Sequence, residues 1–125
     1  MERKTKVMVI DDNADLLEEL KDALEASGKT VSIFTKGEQA LKKAGKIRPD
    51  IIFVDLKLDN EDGFYVASQF KGLEHTENTP VITMSGYYTD EITDKLVKVL
   101  GINEHVVKPF SPERIEKIIE KETAG

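Results

Sequence analysis

Five side chains stand where a short apolar run gives way to polar sequence, and their types suggest joint chemistry. Asp11 and Asp12 follow Val7-Met8-Val9-Ile10, and Asp55 follows Ile51-Ile52-Phe53-Val54. Ser85-Gly86 follows Val81-Ile82-Thr83-Met84, and Lys108-Pro109 follows Val106-Val107. Carboxylates gathered at one place repel each other, and two at close range do not both stay ionised cheaply. A hard divalent cation relieves that repulsion, and an all-oxygen, partly hydrated site suits Mg²⁺. A hydroxyl, Ser85, and an ammonium, Lys108, fall beside the carboxylates at the same rim. A helix N-cap is an alternative reading of Asp12 alone. It does not explain a third carboxylate, Asp55, at the end of another run.

The elements that must position these groups alternate in kind. The short runs, together with Val31-Ser32-Ile33-Phe34, are apolar or β-branched on both faces, as buried parallel strands are. Between them lie segments of helical period. Leu16, Leu20 and Leu24 set an amphipathic helix over about residues 14–27, stopped by Ser27-Gly28. Ala40, Leu41 and Ala44 mark a second helix ending at Gly45. Phe64, Val66, Ala67 and Phe70 mark a third before Gly72, and Ile92, Leu96 and Leu100 a fourth ending at Gly101. Ser111 as N-cap and Pro112 at the first helical position open a fifth, with Ile115, Ile118 and Ile119 facing the core. A strand with Val106-Val107 as its strongest signal is expected between Gly101 and Lys108. Five βα repeats predict an α/β fold, a doubly wound five-stranded parallel sheet. Ligands of such sheets collect at the carboxyl ends of the strands, where the five polar groups fall.

The chain has 125 residues, the size of one domain, expected to fill 1–125 with a core of about 4–119 and a polar, fraying tail. With 18 Lys and Arg against 24 Asp and Glu, the net charge of −6 argues against a direct grip on nucleic acid. No Cys is present, which excludes disulfides, thiolate metal sites and a cysteine nucleophile. The apolar runs fall far short of the ~18 residues of a membrane span, and the start carries no signal-peptide core. A soluble protein without membrane contact is expected.

The motifs in order resemble the receiver domain of two-component response regulators, a flavodoxin-like (βα)5 fold. They are Asp11-Asp12, Asp55 with Gly63 eight residues on, Ser85-Gly86 and Lys108-Pro109-Phe110. Their spacings are typical: 43 residues from Asp12 to Asp55, 30 on to Ser85 and 23 on to Lys108. The resemblance runs from Lys4 to about Ile119. It implies that Asp55 is a phosphoacceptor taking a phosphoryl group from the phosphohistidine of a sensor histidine kinase or phosphotransfer protein. It implies Mg²⁺ held by Asp11, Asp12, Asp55 and the backbone carbonyl of Lys57. Lys108 would bind the phosphoryl oxygens through a loop with a cis Lys108–Pro109 bond. Ser85 would hydrogen-bond the phosphoryl group, and His105 would occupy the switch position. Phosphorylation would then change a protein-interaction surface on the fourth helix, fifth strand and fifth helix, with dimerisation as one outcome. The resemblance further implies a cytoplasmic signalling domain, with no enzymatic activity beyond its own phosphoryl transfer and dephosphorylation. No output segment follows within the 125 residues, so the output is expected to be a protein contact or to lie on further chain. Kinase and downstream target are not specified.

Some residues depart from the family pattern. Asp59 stands where a proline is usual, in the acidic loop Asp59-Asn60-Glu61-Asp62. A solvated loop with Asp62 capping the next helix is the plain reading; raised cation affinity is the sharper one. His105 keeps a planar ring at the switch position, able to toggle and to titrate, or is an exposed strand-end histidine. Lys57 and Tyr87 flank the acceptor in the family, and their length predicts slow loss of phosphate, over hours; Tyr87 and Tyr88 can also be read as partner anchors. Rival chemistries fit less well. A haloacid-dehalogenase-type phosphohydrolase wants Asp where Lys57 stands, and an FMN phosphate would be repelled by Asp11-Asp12-Asn13. His75 lies in a polar loop and not on a bundle helix. A Ser85–His105–Asp55 triad lacks the strained turn of its nucleophile. A receiver-like interaction module that takes no phosphate remains the alternative.

Overall fold

The computed structural model describes residues 3–86 and 91–124. The strands are β1 (Lys6–Ile10), β2 (Thr30–Phe34), β3 (Ile51–Asp55), β4 (Val81–Ser85) and β5 (Glu104–Val107). All pair in parallel in the order β2-β1-β3-β4-β5, so the chain winds out one way from β1 and then back across β3. Between them come α1 (Ala14–Ala26), α2 (Gly37–Ile47), α3 (Gly63–Gly72) and α4 (Glu91–Val99), and α5 (Pro112–Thr123) follows β5. A two-residue antiparallel ribbon, Lys57–Leu58 with Glu61–Asp62, closes the loop after β3.

Strand alternation builds a core on each face. Val7, Val9, Ile51, Phe53, Ile82 and Met84 pack with the leucines of α1 and isoleucines of α5. Met8, Ile10, Ile52, Val54 and Val81 pack with α2 and α3, with Val97 of α4 and with Leu100 just after it. The doubly wound sheet is as the runs of apolar residues predict. Every residue of β3 is buried, because it is central and covered on both faces.

Three helical details differ from expectation. α2 runs past Gly45 to Ile47 and ends with Arg48 in the left-handed conformation at φ 53°. Gly45 is there for packing: a Cβ would sit 3.1 Å from the His75 ring. α4 buries no residue fully, and Ile92 is 68% exposed. Ile92 lies about 140° around the helix axis from Val97, which faces the sheet, so the four-residue stripe drifts off the buried edge. The segment after Ile119 stays helical to Thr123, whose hydroxyl donates to the Ile119 carbonyl at 2.6 Å. At the other end of α5 the Ser111 hydroxyl oxygen accepts from Arg114 N–H, with Pro112 beside it as expected.

Candidate functional site

The carboxyl end of the sheet gathers Asp11, Asp12, Asp55, Ser85 and Lys108 from four strand ends. Asp11 is fully buried and Asp55 nearly so, while Asp12 is exposed. Two loops hold the buried pair alike. Asp11 Oδ1 accepts the Asn13 N–H at 2.9 Å, and Asp55 Oδ1 accepts the Lys57 N–H at 3.0 Å. Each carboxylate is thereby fixed by its own backbone two residues on, a local turn that favours Asp after a strand. Asn13, and not Asp12, caps α1, its side chain accepting from Leu16 N–H. Asp12 is therefore left to the rim.

Lys108 reaches over this pair. Its Nζ donates to Asp11 Oδ2 at 2.6 Å and Asp55 Oδ2 at 3.0 Å. The loop that carries it has the cis Lys108–Pro109 bond expected of it, and Lys108 N–H donates to the Ser85 carbonyl at 2.7 Å. Gly63 makes the acceptor loop possible. A Cβ there would collide with the Asp55 carbonyl oxygen and Leu56 Cα, and Gly63 N–H donates to Leu56 O at 3.0 Å. A side chain at that position would push α3 off the turn after β3.

Burial lifts the Asp55 carboxyl above its ordinary range, opposed by the Lys57 N–H and the Lys108 ammonium and reinforced by the Asp11 charge. Burial alone would lower Lys108, but its bonds to Asp11 and Asp55 and their charges outweigh it and raise the ammonium. Carboxylate oxygens of Asp11, Asp12 and Asp55 lie within 4.8 Å of one another. Against three carboxylates there is one ammonium, so the cluster keeps an excess of two negative charges and an all-oxygen donor set. Both features fit a hard divalent cation.

Ser85 and His105 face the same side of the sheet. Thr83 and His105 are register partners across β4 and β5. His105 Nδ1 lies 2.6 Å from Thr83 Oγ1, and Nε2 lies 3.3 Å from Ser85 Oγ. The ring is thus half-buried and bridged inward, not an exposed strand-end histidine. A serine and a histidine do meet, but the ring's second nitrogen faces Thr83 and not Asp55, so no hydrolase triad is assembled. Burial lowers the His105 imidazole, and the Asp94 charge on α4 opposes this.

The acidic loop is more structured than its composition suggests. Asp62 caps α3, accepting the Phe64 N–H at 2.9 Å, as expected. Glu61, which sequence reasoning assigned to solvent, instead caps α2: its carboxylate accepts the N–H groups of Gly37 at 2.7 Å and Glu38 at 2.9 Å. Lys36 at that N-cap offers no side-chain bond, and the distant Glu61 takes its place. Tyr87 and Tyr88 lie outside the described residues.

Among the described residues no helix is long and apolar enough to cross a membrane. The chain matches the response regulator receiver domain family over residues 7–120. It is 34% identical over 111 residues to the alkaline phosphatase synthesis transcriptional regulatory protein PhoP of Bacillus subtilis, covering 88% of this chain and 45% of that protein. It is 33% identical over 111 residues to protein PilG of Pseudomonas aeruginosa, covering 88% of this chain and 81% of that protein. The chain thus spans about half the length of several curated relatives and most of another. The crystal structure of the Vibrio cholerae chemotaxis protein CheY4 superposes with a TM-score of 0.90 at 26% identity, covering 95% of this chain and 98% of that one. With residues 7–120 matched by the family model, relatives at 33–34% identity over 88% of the chain and the same fold in CheY4, the chain belongs to the receiver domains of two-component response regulators.

Proposed function

We propose that this receiver domain, occupying residues 1–125, takes a phosphoryl group on Asp55 from a phosphohistidine of a sensor kinase or phosphotransfer protein. The convergence of Asp11, Asp55 and the bridging Lys108 at the sheet's carboxyl end carries this reading. One Asp55 oxygen attacks phosphorus as the P–N bond to the donor histidine breaks, and the electron pair of that bond leaves on the ring nitrogen. Lys108, held between two carboxylates, is placed to exchange one of them for the phosphoryl oxygens. The turn that fixes Asp55 Oδ1 on the Lys57 N–H keeps the nucleophile in one orientation. Ser85 supplies a hydroxyl to the same group.

Mg²⁺ would be held by Asp11, Asp12, Asp55 and the Lys57 carbonyl, and when bound it neutralises charge that develops on the phosphoryl oxygens. The family match supports a signalling and not a metabolic role, and a cytoplasmic location as is typical of receiver domains. Two-component partners and a downstream protein complete the proposal, with a phosphorylation-dependent dimer as one form of output.

Intact mass after incubation with acetyl phosphate tests the reading. One Mg²⁺-dependent phosphoryl adduct is expected on the wild type and none on Asp55→Asn. A folded, Mg²⁺-binding protein without an adduct would overturn the reading in favour of an interaction module that takes no phosphate.

A further inference from the structure

Thr83 is a polar residue in an otherwise apolar, fully buried stretch of β4, with no exposed surface of its own. A buried hydroxyl must place its hydrogen on an acceptor. Among the described residues the partner of Thr83 Oγ1 is His105 Nδ1, at the short distance of 2.6 Å. If Nδ1 carried the hydrogen, the Thr83 hydrogen would have to find a second acceptor in the interior. If Thr83 donates, Nδ1 accepts and the neutral ring carries its hydrogen on Nε2. That nitrogen faces Ser85 Oγ. Burial lowers the imidazole and so favours the neutral ring, the form in which a choice of tautomer arises.

Resting on the reading of Asp55 as phosphoacceptor, we infer that Thr83 and His105 are positioning residues that orient the Ser85 hydroxyl. The direction of the chain is Thr83 O–H to Nδ1, then Nε2–H to Ser85 Oγ. Ser85 therefore accepts from the ring, and its own hydrogen is turned to a different acceptor. At the end of β4, next to Asp55 across the sheet, the phosphoryl oxygen is the acceptor that gains. Reversed polarity would have Ser85 donate to Nε2 and hold its hydrogen away from the acceptor.

The test combines a spectroscopic and a kinetic readout. ¹⁵N NMR of the imidazole near pH 7.5 should show the hydrogen of His105 on Nε2; Nδ1–H in the wild type would overturn the inference, and this reading needs no phosphate. Acetyl phosphate with Mg²⁺ should phosphorylate Thr83→Val about ten-fold more slowly than wild type. That is less than the 10²–10³ lost with a donor that touches the transition state directly, as suits residues acting through Ser85. His105→Phe should be slowed alike, and the double variant should be no slower than the worse single one, since both break one chain. His105→Gln, which keeps a planar acceptor and donor, should recover part of the rate. A Thr83→Val rate equal to wild type would overturn the inference. No adduct on the wild type would instead remove the phosphoacceptor reading, and the tautomer would still be read separately.

Discussion

Two acidic regions, the strand ends and the loop that begins just past Asp55, do opposite things. At the strand ends, Asp11 and Asp55 are buried, converge, and share one lysine. In the loop after β3, Glu61 and Asp62 diverge, each satisfying the N-terminal N–H groups of a different helix, and Asp59 points to solvent. The loop packs its acids more densely along the chain, yet among the described residues the carboxylates whose oxygens approach one another are Asp11, Asp12 and Asp55. Density of negative charge along a sequence does not mark a cation site. A register that ends several strands on carboxylates does, because the sheet then forces together charges that would otherwise separate. The sharper expectation for the loop, that its acids raise cation affinity, gains no support from this geometry.

The largest break in the comparison comes from removing what holds the first region together. Lys108→Met leaves two buried carboxylates facing each other without their ammonium. Unpairing a buried charge costs about 3–5 kcal/mol, so urea unfolding at pH 7 in EDTA should show a loss near the lower end, since Lys108 itself is part-exposed. The sign with pH follows from Asp55. Its folded carboxyl titrates above its unfolded value, so its contribution favours the fold at low pH and is lost as pH rises through the folded value. In Lys108→Met that lift grows, so the deficit against wild type should shrink as pH falls from 7 towards 4.5. A deficit that stays constant would mean that the ammonium acts by packing and not by charge. Mg²⁺ should restore part of the lost stability by mass action.

How much of this was legible follows the range of the interaction. The doubly wound parallel sheet, its two covered faces and the convergence of Asp11, Asp12, Asp55, Ser85 and Lys108 follow from five apolar runs and what succeeds each. Those are local signals reinforced by a topology with few alternatives. The caps at Asp62 and Ser111 were equally local. The Glu61 bond to Gly37 and Glu38 was not, since it joins residues 24 and 23 positions apart. The bridge from His105 to Thr83 and Ser85 was hidden for a related reason. It depends on the register of β4 against β5, and the periodicity of neither strand sets that register. Gly45 misled because glycine both ends helices and admits a neighbouring ring, and sequence does not tell the two apart.

The second region should break more gently. Glu61→Ala removes a charged acceptor from two N–H groups at the start of α2. Side-chain caps are worth about 0.5–2 kcal/mol, and the negative charge on a helix N-terminus a further fraction. A loss of about 1–1.5 kcal/mol in urea unfolding is expected. Mg²⁺ affinity, followed by calorimetry, should stay within about two-fold of wild type, because Glu61 faces α2 and not the cluster. A large drop in affinity with intact stability would reverse the roles assigned to the two regions.

Asp59→Asn should do least and so sharpens the contrast most. The residue is exposed, caps nothing among the described residues, and sits in a loop where water screens its charge. Its removal should change stability by less than about 0.5 kcal/mol. At about 0.15 M salt the Mg²⁺ affinity should be unchanged within error, whereas at low salt a small decrease would be the screened field of one surface charge. If instead affinity fell several-fold at both salt concentrations, Asp59 would have to reach the cation directly. The acidic loop would then belong to the site that the strand ends alone are here held to form.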